Sequence, residues 1–288
     1  MRLLVTGLDG FTGRHFQAAA TQAGHSVVGL QANLTDAAAV AAQVAAADFD
    51  AVVHLAAISF VGHADDAAFY AVNVVGTCNL LSALVKSGKP LHKVLVASSA
   101  NIYGNCDASP ITETQPPAPV NHYAASKLAM EHMARMYADV LPVLITRPFN
   151  YTGPGQAPNF VIPKLVDHFA RKAPVVELGN LHVEREFNDV RMVCNAYLGL
   201  LQQGQPGQVY NVCSGQPYTL QQVMDTLTAL SGHSVQAKVN PAFVRANEVH
   251  RLCGSPDRLQ NALAGAGVHL VQPALHETLA WMLSEAAQ

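Results

Sequence analysis

The 288-residue chain is poor in charge. Only 13% of its residues are Asp, Glu, Lys or Arg, and 17 basic residues nearly balance 20 acidic ones, for a net charge of −3. Without a basic field there is no expectation of a nucleic-acid partner or of an anionic membrane surface. Cysteine is scarce and odd in number. Cys78, Cys106, Cys194, Cys213 and Cys253 form no CxxC pair, which argues against a disulfide framework or a thiolate metal centre and suits a reducing, cytoplasmic compartment. The 13 histidines include no HExxH pattern, so no metal is expected. The first residues, MRLLVTG, predict a strand directly, so no secretory leader is expected. No apolar run of about 18 residues or more is expected to span a bilayer. The Ala-rich piece 37–47 is too short and too weakly apolar for that, and reads as a surface helix.

What is present is a chain that is half hydrophobic, with core enough for one or two domains. Short runs rich in Val, Leu and Ile predict strands at 2–7, 25–30, 51–57, 93–99 and 142–150. Longer patterns predict helices at 12–23, 35–47, about 64–87 and 121–140. Strands without polar alternation are buried on both faces, and strand–helix alternation builds a parallel sheet. The expected fold is α/β: a Rossmann-type doubly wound sheet, whose ligands bind at the carboxyl ends of its strands. After residue 150 the texture changes to Gly- and Pro-rich YTGPGQAPNF. We expect a first domain over 1–150 and a smaller C-terminal α/β domain over 151–288, with the segment near 187–202 returning to the first.

VTGLDGFTG (5–13) follows the first strand and opens the first helix, with Gly7, Gly10 and Gly13 in G-x-x-G-x-x-G spacing. A tight turn, close approach to a pyrophosphate and helix-on-strand packing each need a residue without Cβ. The helix start then offers free N–H groups to phosphate. The second strand ends at Gly29-Leu30-Gln31 without an acid to select ribose hydroxyls, so both NAD and NADP remain open. Arg14 lies just after the loop. His54, ending the third strand, reads as a packed histidine. In NHYAASK (121–127), Tyr123 and Lys127 stand one helical turn apart and address the same volume. A bare YxxxK is more often a surface tyrosine lying on a lysine stem.

TGLDGFTG, HLAA, NVVGT, SSANIYG, YAASK and RPFN, in this order and spacing, resemble the extended short-chain dehydrogenase/reductases, which act on nucleotide-diphosphate sugars. The resemblance covers nearly the whole chain. It implies a catalytic set of Ser99, Tyr123 and Lys127. The tyrosine exchanges a proton with the sugar oxygen, and the lysine bonds the nicotinamide ribose and lowers the phenol's pKa. It also implies NAD(P) contacts from Gly7, Asp9, Gly10, Phe11, Thr12 and Gly13, from Asn33 and Leu34, from Leu55, Ala56 and Ala57, and from Asn73, Tyr123, Lys127 and Pro148. Nucleotide-sugar contacts are expected from Ser99, Asn150, Asn159, Val161, Lys164, Arg185, Asn211, Arg245 and Glu248. An arginine fork suits phosphate because it bonds two oxygens at once. Asp189 reads as a helix cap. Helices 64–87 and 121–140 resemble those through which such proteins form homodimers.

The loop after Ser99 separates reactions. Dehydratases of this family carry Glu, often after Asp, where this chain has Ala100 and Asn101, and neither can serve as acid or base. Cys106 is out of register with the cysteine of the epimerase/reductases. Hydride exchange at C4 remains. RPFNYTGPGQ, EREFNDV and YNVCSG most resemble the branch that reduces GDP-6-deoxy-4-keto-D-mannose to GDP-D-rhamnose, although Glu186 stands where Asp is usual. A nucleotide-sugar 4-epimerase that keeps its NAD, or a non-catalytic dinucleotide sensor, are the alternatives.

Overall fold

The computed structural model describes residues 1–243, 249–265 and 270–286. Its first half alternates β1 (Arg2–Thr6), α1 (Phe11–Gln22), β2 (Ser26–Leu30), α2 (Ala37–Ala46), β3 (Ala51–His54), α3 (Asp66–Tyr70), α4 (Gly76–Ser87), β4 (Lys93–Ala97), α5 (His122–Arg135) and β5 (Val143–Pro148). A π turn, Ala71–Val75, joins α3 to α4. The second half runs β6 (Tyr151–Thr152), α6 (Val161–Ala170), β7 (Val175–Leu178), β8 (Glu184–Glu186), β9 (Asn188–Asp189), α7 (Val190–Gln203) and β10 (Val209–Val212). Then come β11 (Pro217–Thr219), α8 (Leu220–Ser231), β12 (Gln236–Val239), β13 (Arg251–Leu252), α9 (Asp257–Ala264) and α10 (Leu275–Ala286).

Six strands form one parallel sheet in the order β10-β5-β4-β3-β1-β2. Every residue of β3, β4 and β5 is buried, because helices cover both faces. The two-residue period of β1 sends its side chains to opposite cores. Leu3 and Val5 meet Phe16 and Ala20 of α1 and Val193 and Leu200 of α7, whereas Leu4 meets Val40, Val44, Leu80, Leu84 and Met130. A third core packs α6, α8 and α10 on β7. The smaller sheets are β11-β8-β13, β12-β7 and β6-β9.

The Ala-rich segment becomes α2 with only Val40 and Val44 buried. Its ends are held instead. Asp36 accepts from the N–H groups of Ala38 and Ala39, and Lys89 Nζ donates to the carbonyls of Val44, Ala45 and Ala47. An acceptor at the N-terminus and a cation at the C-terminus suit the orphan groups and the dipole. Asp189 likewise caps α7, accepting from the Arg191 N–H at 2.8 Å.

Two expectations need correction. A boundary at residue 150 is crossed by more than the segment near 187–202, since β10, at 209–212, pairs with β5 at the edge of the main sheet. The helical stretch Asp66–Ser87 does pass for a membrane span by length and composition, with a mean hydropathy of 1.6. Here it lies against α2 and α5, with Phe69, Leu80, Leu81 and Leu84 buried and Val75 and Val85 exposed.

A buried ion pair ties the sheet to α5. Arg147 on β5 donates from Nε and Nη2 to the two carboxylate oxygens of Glu131, at 2.9 and 2.7 Å. Its Nη1 donates to Tyr103 Oη at 2.9 Å, and Tyr103 donates in turn to Asn211 Oδ1 on β10 at 2.7 Å. Removing one member of such a pair strands the other charge. Glu131→Ala is therefore expected to cost about 3–5 kcal/mol in urea unfolding. Arg135→Ala, which removes an exposed partner 3.6 Å from the same carboxylate, is expected to cost less than about 1 kcal/mol.

Candidate active site

The carboxyl ends of the strands collect the residues that the motifs singled out. Gly7, after β1, has φ +71°, and a Cβ there would lie 2.8 Å from both Cα and N of Ala56. A Cβ on Gly13 would lie 2.6 Å from Leu8 Cα. These two positions admit only glycine, one for its conformation and both for the close approach. Gly10 N donates to the Gly7 carbonyl at 3.1 Å and begins α1, whose N-terminus carries no side-chain cap among the described residues. Its free N–H groups and positive dipole end fit a phosphate.

Around this turn, Asp9 is exposed, and its carbonyl accepts from Arg14 Nη1 at 2.6 Å. Arg14 Nη2 reaches the Gly155 carbonyl at 3.2 Å. Arg14 thus braces backbone. Phe11 stacks on Tyr151 with ring centroids 6.0 Å apart, and Thr12 shares a 2.7 Å hydrogen bond with the Tyr151 hydroxyl. Past β2, Asn33 is exposed and its Oδ1 accepts from Thr35, while Leu34 is buried with its carbonyl bonded by Asn79 Nδ2 at 2.8 Å. Gln43 Oε1 accepts from the N–H groups of Gln31 and Ala32, so no carboxylate stands at the β2 end. Leu55, Ala56 and Ala57 are half-buried after β3, and Pro148 ends β5 buried. Small residues after β3, uncapped N–H groups at the start of α1 and a glycine turn suit a dinucleotide.

Asn73, expected at the cofactor, meets backbone in this structure. It is fully buried and its amide is engaged internally. Oδ1 accepts from Ile58 N at 2.9 Å, and Nδ2 donates to the Ile58 carbonyl and to Ser126 Oγ at 3.2 and 3.0 Å. It braces the loop after β3 against α5.

Tyr123 and Lys127 sit on α5, whose first turn is capped by Asn121 Oδ1 accepting from the Ala124 N–H at 2.8 Å. With Glu131 they form one buried stripe at i, i+4 and i+8. Lys127 Nζ donates to the Ala97 carbonyl at 2.8 Å, at the last residue of β4. Ser99 follows two residues later. Its Oγ accepts from the N–H and the Nδ2 of Asn101, both at 3.2 Å, and it is hydrogen-bonded to Tyr123. With its acceptor sites filled by Asn101, the single Ser99 proton is directed to the tyrosine oxygen. Phenol, ammonium and alcohol therefore converge where β4 ends.

The Tyr123 phenol lies above the usual tyrosine range because burial disfavours its charge, and the Ser99 hydrogen bond only partly offsets this. Burial pushes Lys127 down to about 8, with Glu131 opposing. His54 is a packed histidine as expected, pushed down to about 3 by burial and by Lys127.

The expected substrate residues divide. Asn150 and Asn159 are exposed and Val161 is half-buried, and the Asn150 carbonyl accepts from Asn188 N at 2.9 Å. Lys164 Nζ donates to the Glu177 carbonyl at 2.6 Å and lies 4.4 Å from the Phe243 ring centre. Arg185 donates to the carbonyls of Glu184 and Val249. Asn211 is fully buried; it accepts from Tyr103 and donates to the Ile111 carbonyl at 2.9 Å, inside the scaffold. Arg245 and Glu248 lie outside the described residues.

Sequence reading missed Asn101, Tyr151 and the role of Glu186. Buried Glu186 accepts from the N–H groups of Ser214, Gly215 and Gly254, from Ser214 Oγ and from Asn188 Nδ2. It knots β8 to the turn after β10 and to the end of β13. The only signal was its place beside Arg185 in EREFNDV.

Comparison with known proteins agrees with this geometry. Residues 3–213 match the model of the NAD dependent epimerase/dehydratase family. The GDP-6-deoxy-D-talose 4-dehydrogenase of Aggregatibacter actinomycetemcomitans is 34% identical, covering 91% of each chain. The GDP-6-deoxy-D-mannose reductase of Pseudomonas aeruginosa is 37% identical, covering 90% of each. The solved structure of RMD from Pseudomonas aeruginosa, complexed with NADPH, superposes with a TM-score of 0.89 at 34% identity, covering 99% of this chain and 97% of that one.

NMR titration is expected to find the Lys127 amine changing charge near pH 8 rather than at its usual 10.5. A base whose folded pKa is depressed binds fewer protons when folded. Unfolding free energy should therefore rise with pH between about 8 and 10.5, and Lys127→Met should flatten that rise.

Proposed function

Because the chain belongs to the NAD dependent epimerase/dehydratase family, we propose that it is an NAD(P)H-dependent oxidoreductase. In this reading it reduces the C4 keto group of a nucleotide-diphosphate 6-deoxy-4-keto sugar. The substrate is GDP-6-deoxy-4-keto-D-mannose and the product GDP-D-rhamnose. The observation that carries the reading is the convergence of Ser99, Tyr123 and Lys127 at the end of β4, in the same sheet whose β1 leads into the glycine turn. The names of the two relatives support the substrate. GDP-6-deoxy-D-mannose and GDP-6-deoxy-D-talose differ only in configuration at C4, so oxidation of that carbon leads both to one ketone.

A bound nicotinamide supplies hydride to C4. The chain's own residues do the rest. Tyr123 gives its phenolic proton to the C4 oxygen, and an un-ionised phenol, favoured by burial, is the form that can do so. Ser99, held by Asn101, turns its single proton from the tyrosine to the bound C4 oxygen and donates a second hydrogen bond there as charge builds. An oriented donor of this kind contributes roughly 3–4 kcal/mol. Lys127, as ammonium, holds the ribose and stabilises the phenolate left behind. Ala100 and Asn101 offer no carboxyl group for water elimination, which leaves hydride exchange as the chemistry of the site. The neutral end of β2 accepts either NADPH or NADH, because no acid there repels a 2′-phosphate.

The test is incubation with the 4-keto sugar nucleotide and reduced cofactor, following cofactor absorbance and the proton spectrum of the product. Stoichiometric oxidation of NADPH or NADH with a single C4 epimer formed is expected. Interconversion of epimers with no net oxidation would mean a 4-epimerase instead, and no reaction would leave the sensor reading. Tyr123→Phe is expected to lower kcat by about 100- to 10,000-fold while the dissociation constant for NADPH, from fluorescence, stays within about twofold of wild type.

A further inference from the structure

Beneath the glycine turn lies a run of buried hydrogen bonds that the proposed reaction does not use. Ala56 N donates to Thr6 Oγ1 at 3.1 Å. Thr6 Oγ1 lies 2.7 Å from His54 Nδ1, and His54 Nε2 lies 2.8 Å from Thr77 Oγ1. Thr77 Oγ1 donates to the Asn73 carbonyl at 2.7 Å. Thr6, His54, Asn73 and Thr77 are all buried.

The direction of every bond follows from its far end. The Thr77 hydroxyl has one proton, and the Asn73 carbonyl, which can only accept, takes it. Thr77 Oγ1 must then accept from His54, so the ring proton is on Nε2. Nδ1 is left as an acceptor, and Thr6 gives it its hydroxyl proton while accepting from Ala56. No donor faces a donor and no acceptor an acceptor. Burial, which holds the ring uncharged, agrees with this. An imidazolium would put a second donor against Thr6 and force that hydroxyl to abandon the ring.

Both ends of the chain touch the site. Ala56 is the residue whose backbone would meet a Cβ on Gly7, so its anchorage to Thr6 sets the gap between the ends of β1 and β3. Asn73, at the other end, sits in the π turn and reaches Ser126 Oγ with its side chain. Ser126 Oγ donates to the Tyr123 carbonyl at 2.8 Å.

We propose that His54 is a positioning residue: held as the Nε2–H tautomer between Thr6 and Thr77, it couples the backbone facing the glycine turn to the turn of α5 that carries Tyr123. The inference rests on the proposed reductase reading for its effect on rate, though not for its chemistry. Polarised chains of this kind fix a geometry when complete and are costly when one link is lost.

Two measurements test it. Long-range nitrogen–proton NMR correlations of the imidazole ring, assigned by their loss in His54→Gln, are expected to find His54 neutral with its proton on Nε2. An Nδ1–H tautomer or an imidazolium at neutral pH overturns the assignment. Thr77→Val keeps the shape but removes the link, whereas Thr77→Ser keeps the hydroxyl. Per folded molecule, Thr77→Val is expected to lower kcat about 10-fold or more, since small displacements of a reacting group carry penalties of that order. Thr77→Ser is expected to stay within about twofold of wild type. A purely structural role would lower the melting temperature of Thr77→Val and leave its kcat alone, and that result overturns the proposal. If the wild-type protein does not turn over the keto sugar, the proposed reaction fails, while the ring spectrum still decides the His54 assignment.

Discussion

The site depends on how one helix is pinned to the edge of a sheet. α5 is held at two points of the same stripe, by Lys127 on the last carbonyl of β4 and by Glu131 on the guanidinium of Arg147 in β5. Each contact takes a charge out of water, which is tolerable only because the partner geometry is good. Tyr123, one turn earlier on that stripe, has no freedom left once the other two are seated. The spacing of tyrosine and lysine is thus one part of a longer pattern whose third member is a carboxylate. That carboxylate favours the charged lysine, opposing the burial that would neutralise it.

The second half of the chain is joined to this frame by the apolar packing of α7 and by polar groups as well. Tyr103 and Asn211 carry the Arg147 network to β10. Glu186 gathers donors from segments far apart in sequence, at a place where an unpaired carboxylate would be expensive. Burial raises its pKa and the bonds it accepts pull it back, so the group serves as a clamp whose worth lies in the donors it satisfies.

The strand–helix alternation of the first half was legible because unbroken apolar runs and glycine spacing are local signals. So were the turn at Gly7 and the Tyr123–Lys127 face. Membership of β10 in the main sheet was not, since a strand of four residues carries no mark of the partner it will find. The direction of polar side chains was equally hidden. Asn73 and Asn211 sit in motifs that resemble ligand contacts, yet their amides close on Ile58, Ser126, Tyr103 and Ile111. Lys164 and Arg185 bond to backbone carbonyls that no sequence pattern announces. A long cation can reach several partners, and only the surrounding fold chooses among them.

The narrow approach between Gly7 and Ala56 has a consequence for anyone who would alter this protein. The glycine side of that gap cannot grow, because it lacks room for a single carbon, and the residue facing it is tethered through its own amide. Change at the glycine is closed to stepwise drift. Redesign toward a bulkier or different coenzyme would have to begin at the outer rim, beyond Gln31, and leave this inner seam untouched.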